Sequence, residues 1–589
     1  MNSPEIELPQ HEPQHEPQHE LQSETRWHDR LAVFVVIIIT LFAMGRLCGN
    51  DFTSWDDQGT VYQNPWLLPP TIQTLVHYWM WPAYGLYIPV TYTVWAAVAL
   101  IAHVPKDQTG ISLNPWLFHG TNVLCHLLTV LVAYRTLRLL NADTFAAACG
   151  ALLFGVHPIQ VEAVAWISGL KDVLSGLLGM IALWQYVSFA VSDLKGRAST
   201  VRYLLATGAF ILALLAKPSV MALPLAALAI DRWGVGRPWP KVIPPAVGWL
   251  LVAFPLAVIA RWVQDASNTP MAPLLIRPLI ATDSLAFYMA KLAWPLDLTI
   301  DYGRNTAAVL TASTYLWDWI VPLSIAIFLI AGARRRPVLL AAGVIFLAGC
   351  LPVLGFTPAM FQYYSATADH YLYLSMFGPA LALAWLLSVR PTFLIRLTTA
   401  VALVVLMALS IHQGSYWQND STLFNHAIEV NPNSYIAYLN LGADSDRAGD
   451  YPGAAALFQT AARINPQYAM AWGNLGSALD KLGKRQEAIA ATRRAIDLQI
   501  KYPNLRVSWT QDNEALGQML FDQGQFREAI PYLQTASDLQ PEKQQLARQL
   551  ADAKRRAATQ PATSASELKW GTHSGTAHRA RSTSRCITR

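Results

Sequence analysis

Long apolar runs separated by short polar or basic breaks fill the chain from residue 31 to about residue 412, where the pattern changes kind. The runs 31–48, 116–134, 144–157, 172–190, 203–216, 219–230, 244–260, 317–332, 337–352, 371–388 and 396–412 keep charge out of their interiors. Each approaches the ~20 residues of a bilayer-crossing helix, although several fall short of it. Lysine and arginine gather in alternate breaks: Arg26 and Arg30 before the first run, then Arg135 and Arg138, then Lys195, Arg197 and Arg202, then Arg232, Arg237 and Lys241, then Arg334, Arg335 and Arg336. Basic loops favour the cytoplasm, so the alternation predicts a cytoplasmic N-terminus, roughly eleven spans and an outer location for everything past residue 412. Stretch 88–103 is the ambiguous one. Counted as a full crossing it inverts every later span; read as a re-entrant or surface helix it keeps Arg334 to Arg336 inside.

Past residue 412 the sequence repeats. Asn431-Pro432 returns as Asn465-Pro466 after 34 residues, Leu439-Asn440-Leu441-Gly442 returns in register as Gly473-Asn474-Leu475-Gly476, and Ala427, Ala461 and Ala495 keep the same spacing. This is the tetratricopeptide period. A third unit follows after a shift of 41, carrying Gly476, Gly483, Ala488 and Ala495 to Gly517, Gly524, Ala529 and Ala536, with the extra residues near Lys501 to Ser508 as a loop. Small residues let paired helices approach closely, and stacked pairs form a concave surface suited to a peptide or another protein. The predicted fold class is therefore all-α: a polytopic transmembrane helix bundle over 31–412 followed by a tetratricopeptide-repeat α-solenoid over 413–556. Residues 1–30, with tandem His-Glu-Pro-Gln repeats, and residues 557–589, rich in Ser, Thr, Arg and His, have no apolar face to bury and read as disordered tails. The first makes a poor signal-peptide leader and no small-residue cleavage site follows it, so 31–48 reads as a retained helix.

Composition agrees with a membrane protein: 53% hydrophobic and 14% charged residues over 589 positions, with a mean hydropathy of +0.27. The net charge of +5 is spread over loops and tail, a topology signal and no nucleic-acid footprint. Cys48, Cys125, Cys149 and Cys350 lie in or beside apolar runs and Cys586 in the tail, without CxxC spacing, so neither a zinc site nor a disulfide framework is indicated.

The predicted topology collects the unusual residues on the outer face. Asp56 and Asp57, in SWDDQGTVYQNPW, are joined there by His157, Glu162, Lys171, Asp172, Lys217, Asp301, Arg304, Asp369 and His370. Charges converging on one side of a membrane are costly to bury and are functional candidates by default. Each also has a plainer reading. One of the two acids caps a helix, Lys217 snorkels at a span end, and Lys171 with Asp172 forms an interfacial ion pair of little consequence. Glu162 lies five residues after His157, which does not reproduce a metalloprotease HExxH helix. His119, Asn122 and His126 share one helical face and read as interhelical hydrogen-bonding groups.

Six motifs in order carry a resemblance: WDDQGTVYQNPW after the first run, FHGTNVLCHLL at 118–128, HPIQVEAVAWISGLKDVLS at 157–175, LLAKPSVMALPL at 214–225, WPLDLTIDY at 294–302 and ADHYLYL at 368–374. The repeat array then opens with WQNDSTLFNHAIEVNP. The chain resembles the transmembrane and tetratricopeptide repeat-containing O-mannosyltransferase family, of the GT-C class of polytopic glycosyltransferases that use polyprenyl-phosphate sugars. The resemblance implies transfer of a sugar, mannose among the candidates, from a lipid-linked donor to a hydroxyl of a protein acceptor on the outer face. Asp56 or Asp57, with Asp56 preferred, would be the catalytic base, and its neighbour would tune it, since two adjacent carboxylates push one pKa upward. Lys171, Lys217 and Arg304, with His157 and His370 as secondary donors, would hold the donor phosphate. Trp55, Glu162, Asp172 and Asp369 are the candidate acceptor or sugar contacts. At His370 the chain departs from the family, which commonly places Arg there, so a fixed cation becomes a titratable one.

No cofactor is expected beyond the polyprenyl-phosphate sugar itself. A divalent ion bridging an acid to the donor phosphate suits oxygen ligands, but no required metal is predicted. The expected partners are the lipid-linked donor and a protein bound by the repeats, with no nucleic acid. The expected setting is the inner membrane with the repeats in the periplasm if the chain is bacterial, or the lumenal side otherwise. The alternative from another class is a non-catalytic membrane-anchored repeat scaffold. A transporter is disfavoured, because no two-fold repeat of broken helices is evident.

Overall fold

The computed structural model describes residues 17–107, 110–192, 197–263, 272–356, 365–501 and 508–560. Among them there is no strand, only helices, turns and two isolated antiparallel bridges, Ala83 to Leu86 and His103 to Leu113, so the all-α expectation holds. The chain forms two compact units, Met1–Gln467 and Tyr468–Arg589.

The first unit opens with α1 (Pro17–Met44), α2 (Ile72–Met80), α3 (Pro89–Ala102), α4 (Pro115–Leu139), α5 (Thr144–Val156), α6 (Val161–Ala165), α7 (Leu170–Val191), α8 (Arg197–Ala216), α9 (Leu223–Ala229) and α10 (Trp239–Val263). It continues with α11 (Arg277–Ala293), α12 (Thr306–Ala312), α13 (Tyr315–Asp318), α14 (Ile320–Gly332), α15 (Pro337–Cys350), α16 (Phe377–Val389) and α17 (Phe393–Ser415), and closes with α18 (Asp420–Val430), α19 (Tyr435–Arg447) and α20 (Tyr451–Ile464). Local chemistry sets many starts. Asn114 and Asp143 cap α4 and α5 by accepting the N–H of Trp116 and Ala146, and Pro89, Pro115 and Pro337 sit at first helical positions, where a missing N–H costs nothing. α1 begins at Pro17, inside the segment expected to be a polar tail. The rest of that expected tail, residues 1–16, and residues 561–589 with Cys586 lie outside the described residues.

Seven helical stretches among the described residues are long and apolar enough to cross a membrane: Trp27–Gly49, Pro115–Leu139, Ile167–Val191, Ala198–Ala216, Trp239–Val263, Tyr315–Gly332 and Phe393–Ser415. An eighth is reached if α5 and Pro158–Ala165, which meet at a 50° bend, count as one span. The chain is an integral multi-pass membrane protein. Its other apolar runs are short, as at Pro337–Val353 and Phe377–Val389, or broken. Run 219–230, for example, divides into a 3₁₀ turn at Pro218–Ala222, α9, and a wider turn at Ile230–Val235, with Pro218 and Pro224 each at the start of a segment. Hydropathy registers such a run as one span, so the sequence count of roughly eleven exceeds the number of helices long enough to cross.

Ties between helix ends define two faces. At one, Asp29 on α1 takes hydrogen bonds from Tyr134 (2.8 Å), Arg138 (3.0 Å) and Thr144 (3.0 Å), joining the start of α1 to the end of α4 and the start of α5. At the other, the His119 ring meets the Asp51 carbonyl at 3.2 Å and the Asp51 N–H donates to Gln418 O at 2.9 Å, joining the ends of α1 and α17 to the start of α4. α3 is tied at both ends: Thr91 Oγ1 donates to Ala216 O at the end of α8 at 2.9 Å, and Ala102 O accepts the Asn114 N–H before α4 at 2.8 Å. At ~1.5 Å per residue, α3 is shorter than the ~30 Å hydrocarbon layer.

The second unit holds α21 (Ala469–Lys481), α22 (Arg485–Lys501), α23 (Trp509–Asp522), α24 (Phe526–Leu539) and α25 (Gln544–Thr559). Ala488, Ala495, Ala529 and Ala536 are fully buried. At Gly476 a Cβ would meet Thr492 and stand 3.1 Å from Ala488 O, so only glycine lets α21 and α22 lie this close. Gly483, at φ +76°, turns the chain between them. The residues 502–507 of the expected inter-repeat loop lie outside the described residues.

Candidate active site

The segment after α1 has little regular structure and is held almost residue by residue. Trp55 O accepts the Trp166 indole N–H at 2.6 Å, and the Ser54 N–H donates to Asp420 Oδ1 at 2.7 Å. Asp57 is buried, with its acceptor positions occupied: Oδ1 takes the N–H (2.9 Å) and Oγ–H (2.6 Å) of Ser168, and Oδ2 takes the N–H (3.2 Å) and Oγ1–H (3.1 Å) of Thr53. Burial pushes its pKa up to about 7 against the pull of those donors. Adjacency of two acids suggested mutual repulsion as the cause; desolvation is the cause instead.

Asp56 is the contrasting case. Its backbone is left-handed, at φ +68°, a region that Asp tolerates better than most residues, and its carbonyl accepts the N–H (3.0 Å) and Oγ1–H (2.8 Å) of Thr60. The residue is solvent-exposed, and among the described residues none donates a hydrogen bond to its carboxylate. Solvent reaches one side while protein crowds the rest, so desolvation raises its pKa and the attraction of Lys171 opposes the rise.

The turn between α6 and α7 supplies the opposite wall. Asn122 of α4 donates to Trp166 O at 2.7 Å and fixes that turn, while His126 bridges the Tyr373 hydroxyl and Gly155 O at 2.9 Å each, so this helical face does the interhelical bonding its spacing suggested. Lys171 lies 3.7 Å from the centroid of the Trp166 ring and donates to Ser168 O at 2.7 Å, leaving other ammonium hydrogens for a ligand. Asp172, the next residue, forms a buried ion pair with Lys217, whose ammonium also lies 5.4 Å from the Tyr371 ring centroid. Glu162 holds His370 at two points, Oε1 to the ring Nδ1 (2.8 Å) and Oε2 to the backbone N–H (3.1 Å). Burial lowers the His370 pKa to about 3, so the ring is neutral near pH 7 and cannot stand in for the family's arginine as a cation. Asp369 accepts the Tyr302 hydroxyl at 2.8 Å, and burial beside Glu162 raises its pKa well above the usual carboxylate range.

Lys217, Asp172 and His370 form the polar end of a cavity of about 40 Å³ whose other wall is apolar, with Val220, Leu223, Ile345 and Val353. That exceeds the ~10–15 Å³ a water needs and falls far below the ~300–1,000 Å³ of ligand pockets, so a larger occupant has to widen it.

The structure thus brings together Trp55, Asp56, Asp57, Glu162, Lys171, Asp172, Lys217, Asp369 and His370. Two expected phosphate donors stand apart. The His157 Nδ1 accepts the Ile159 N–H at 3.2 Å and caps the Pro158–Gln160 turn, while its Nε2 faces Leu292 O of α11 at 3.1 Å, so both nitrogens are engaged within the protein. Arg304 pairs with Asp283 on α11 and covers the Phe287 ring at 4.8 Å. Sequence reasoning missed Ser168 and Thr53, the two residues that satisfy Asp57, because neither hydroxyl carries a signal until the loop and the α6–α7 turn are brought together. Among the described residues no three His, Cys, Asp or Glu side chains gather into a group that could hold a metal ion.

Two tetratricopeptide-repeat family models match residues 439–503 and 513–543. Among curated proteins, a Caenorhabditis elegans protein O-mannosyl-transferase is 26% identical over 343 residues, covering 55% of this chain and 47% of that protein. The human protein O-mannosyl-transferase TMTC1 is 41% identical over 75 residues, 13% of this chain and 8% of that protein. The chain thus spans about half the length of the first relative and a small part of the second. Among solved structures, ArnT from Cupriavidus metallidurans bound to undecaprenyl phosphate aligns over 79% of each chain, with 13% identity and a TM-score of 0.34. The chain resembles the TMTC O-mannosyl-transferases and carries tetratricopeptide repeats.

Proposed function

We propose that this chain is a membrane glycosyltransferase that moves a sugar, by analogy with its relatives mannose, from a polyprenyl-phosphate donor to a hydroxyl of a protein acceptor. The observation that carries the reading is the contrast between adjacent acids: Asp57 spends its oxygens holding the loop, while the Asp56 carboxylate is open to solvent and electrostatically coupled to Lys171. Such a carboxylate can take the proton of an acceptor hydroxyl as that oxygen attacks the anomeric carbon. The bond from that carbon to the phosphate oxygen breaks, the electron pair leaves on the polyprenyl phosphate, and Lys171 neutralises the charge that develops there. The polar end of the cavity at Lys217, with its apolar wall, suits a phosphate on a lipid chain once it widens. Trp55, Glu162, Asp172 and Asp369 are proposed to contact sugar or acceptor, directly or through the groups they hold. The cytoplasmic N-terminus, the outer placement of the site and the division at residues 31–412 and 413–556 are parts of the same proposal, as is acceptor binding by the repeats.

The test is transfer of labelled sugar from a panel of polyprenyl-phosphate sugars to cellular proteins by the purified chain, with and without a chelator. Label that appears with wild type and is lost with a folded Asp56→Asn variant supports the reading. If no donor gives label and both acids are dispensable for the cellular role, the membrane-anchored scaffold replaces it.

A further inference from the structure

The loop that carries Asp56 is held from two sides, and one of them is the start of the repeat region, α18 and α19. From the membrane helices come Ser168 and the Trp166 indole; from the repeat side come Asp420, Asn440 and Gln418. Asp420 makes the closest of the repeat-side contacts, 2.7 Å from Oδ1 to the Ser54 N–H, two residues before Asp56. It is the first residue of α18, directly after the Asn419 cap, where a carboxylate is favoured by the helix dipole. Arg447, at the end of α19, reaches Asp420 Oδ2 at 3.6 Å and pairs with Asp444 one turn earlier, so α18 and α19 both fix the carboxylate that grips the loop. The Ser54 hydroxyl donates in turn to Asn440 of α19 at 3.4 Å.

We infer that Asp420, oriented by Arg447, is a positioning residue for the proposed base: α18 and α19, the helices that open the repeat region, latch the Asp56 loop. The inference rests on the transferase reading for its consequence in turnover, but the latch itself is a property of the loop and can be measured without turnover. A displacement of about 1 Å at a reacting group costs on the order of a hundredfold in rate, and Ser54 is close enough in sequence to pass such a displacement on.

The experiment uses the full chain in lipid nanodiscs, comparing wild type, Asp420→Ala and Asp420→Asn. Amide exchange of residues 51–63 is followed by mass spectrometry beside the kinetics of transfer from the labelled donor that wild type uses best. Asp420→Ala removes the acceptor of the Ser54 N–H; the expectation is faster exchange in 51–63, unchanged exchange in α21 and α22, and a kcat lower by about tenfold or more with the donor KM within about twofold. Asp420→Asn keeps an oxygen for that N–H and is expected to restore both readouts to near wild type. Unchanged exchange in 51–63 with Asp420→Ala overturns the latch. Faster exchange with undiminished kcat overturns the positioning role, and so does an Asn variant as impaired as the Ala variant. A wild type that transfers from no donor refutes the transferase reading instead, and the exchange comparison then decides the latch alone.

Discussion

Substituting the two adjacent acids one at a time should give crossed results. Asp57→Ala strands two backbone donors in a buried place, the N–H groups of Ser168 and Thr53, because the four hydrogen bonds to the carboxylate vanish together. The hydroxyls are less affected, since Ser168 Oγ already lies 2.7 Å from Thr60 Oγ1 and can turn to it. A stranded buried N–H costs about 1–3 kcal/mol, so the pair predicts a loss on the order of 2–6 kcal/mol. Asp57→Asn keeps one oxygen and should fall between. Asp56→Asn strands nothing, and asparagine accepts the left-handed backbone at φ +68°, so its stability should stay within about 0.5 kcal/mol of wild type. Transfer should run the other way: loss of a general base costs about 10²- to 10⁴-fold, so Asp56→Asn should be folded and nearly inactive, while Asp57→Asn keeps measurable turnover below its own unfolding midpoint. Thermal unfolding in detergent and transfer assays on the same preparations decide it. An Asp56→Asn protein that transfers normally, or an Asp57→Ala protein as stable as wild type, would refute the division of labour.

Removing Lys217 as Lys217→Met leaves Asp172 buried without its partner and should destabilise the protein by about 3–5 kcal/mol, with Asp172→Asn on that background recovering part of the loss in thermal unfolding. The Asp57 carboxyl, raised to about 7 from 3.8, binds its proton more tightly folded than unfolded, so its contribution to stability is complete below about pH 4 and is lost as pH rises through about 7. Comparing wild type with Asp57→Asn across that window should show a change of roughly 4 kcal/mol at most in favour of the variant at the alkaline end, and a flat difference would contradict the burial argument. Gly476→Val forces a side chain against Thr492 and Ala488 O and should cost about 1–3 kcal/mol, read as a lower repeat-unfolding midpoint by circular dichroism.

What the sequence disclosed follows from the range of each signal. The repeats were legible because their packing uses fixed local positions: Gly476 against Thr492, or Ala488 and Ala495 fully buried, recur with the period itself. The apolar runs were legible for the same reason, and each one that meets the length for a span sits where hydropathy placed it. Pairings across the chain were not. Nothing near Asp172 in sequence says that its partner is Lys217, nor does anything near Arg304 single out Asp283. His157 reads as a secondary phosphate donor from the sequence; in the fold its Nδ1 caps the turn at Pro158 and its Nε2 ties that turn to Leu292 O of α11, a pairing that nothing near it in sequence announces.

These long-range pairings also reorder the proposed phosphate ligands. Charges at the edge of a bilayer persist when they neutralise one another, and Lys217 is committed in this way to Asp172 with Asp172 Oδ2 left without a hydrogen-bond donor. A phosphate that drew Lys217 away would leave that buried carboxylate unpaired, which costs several kcal/mol. Lys171 is less firmly committed: it also attracts Asp172, but its close contacts are a carbonyl oxygen and an aromatic face, which leave ammonium hydrogens for an anion. It is also the cation that acts on Asp56. Under the proposed reaction Lys171 therefore meets the leaving group, and Lys217 serves chiefly to hold Asp172 and the cavity's polar end in place.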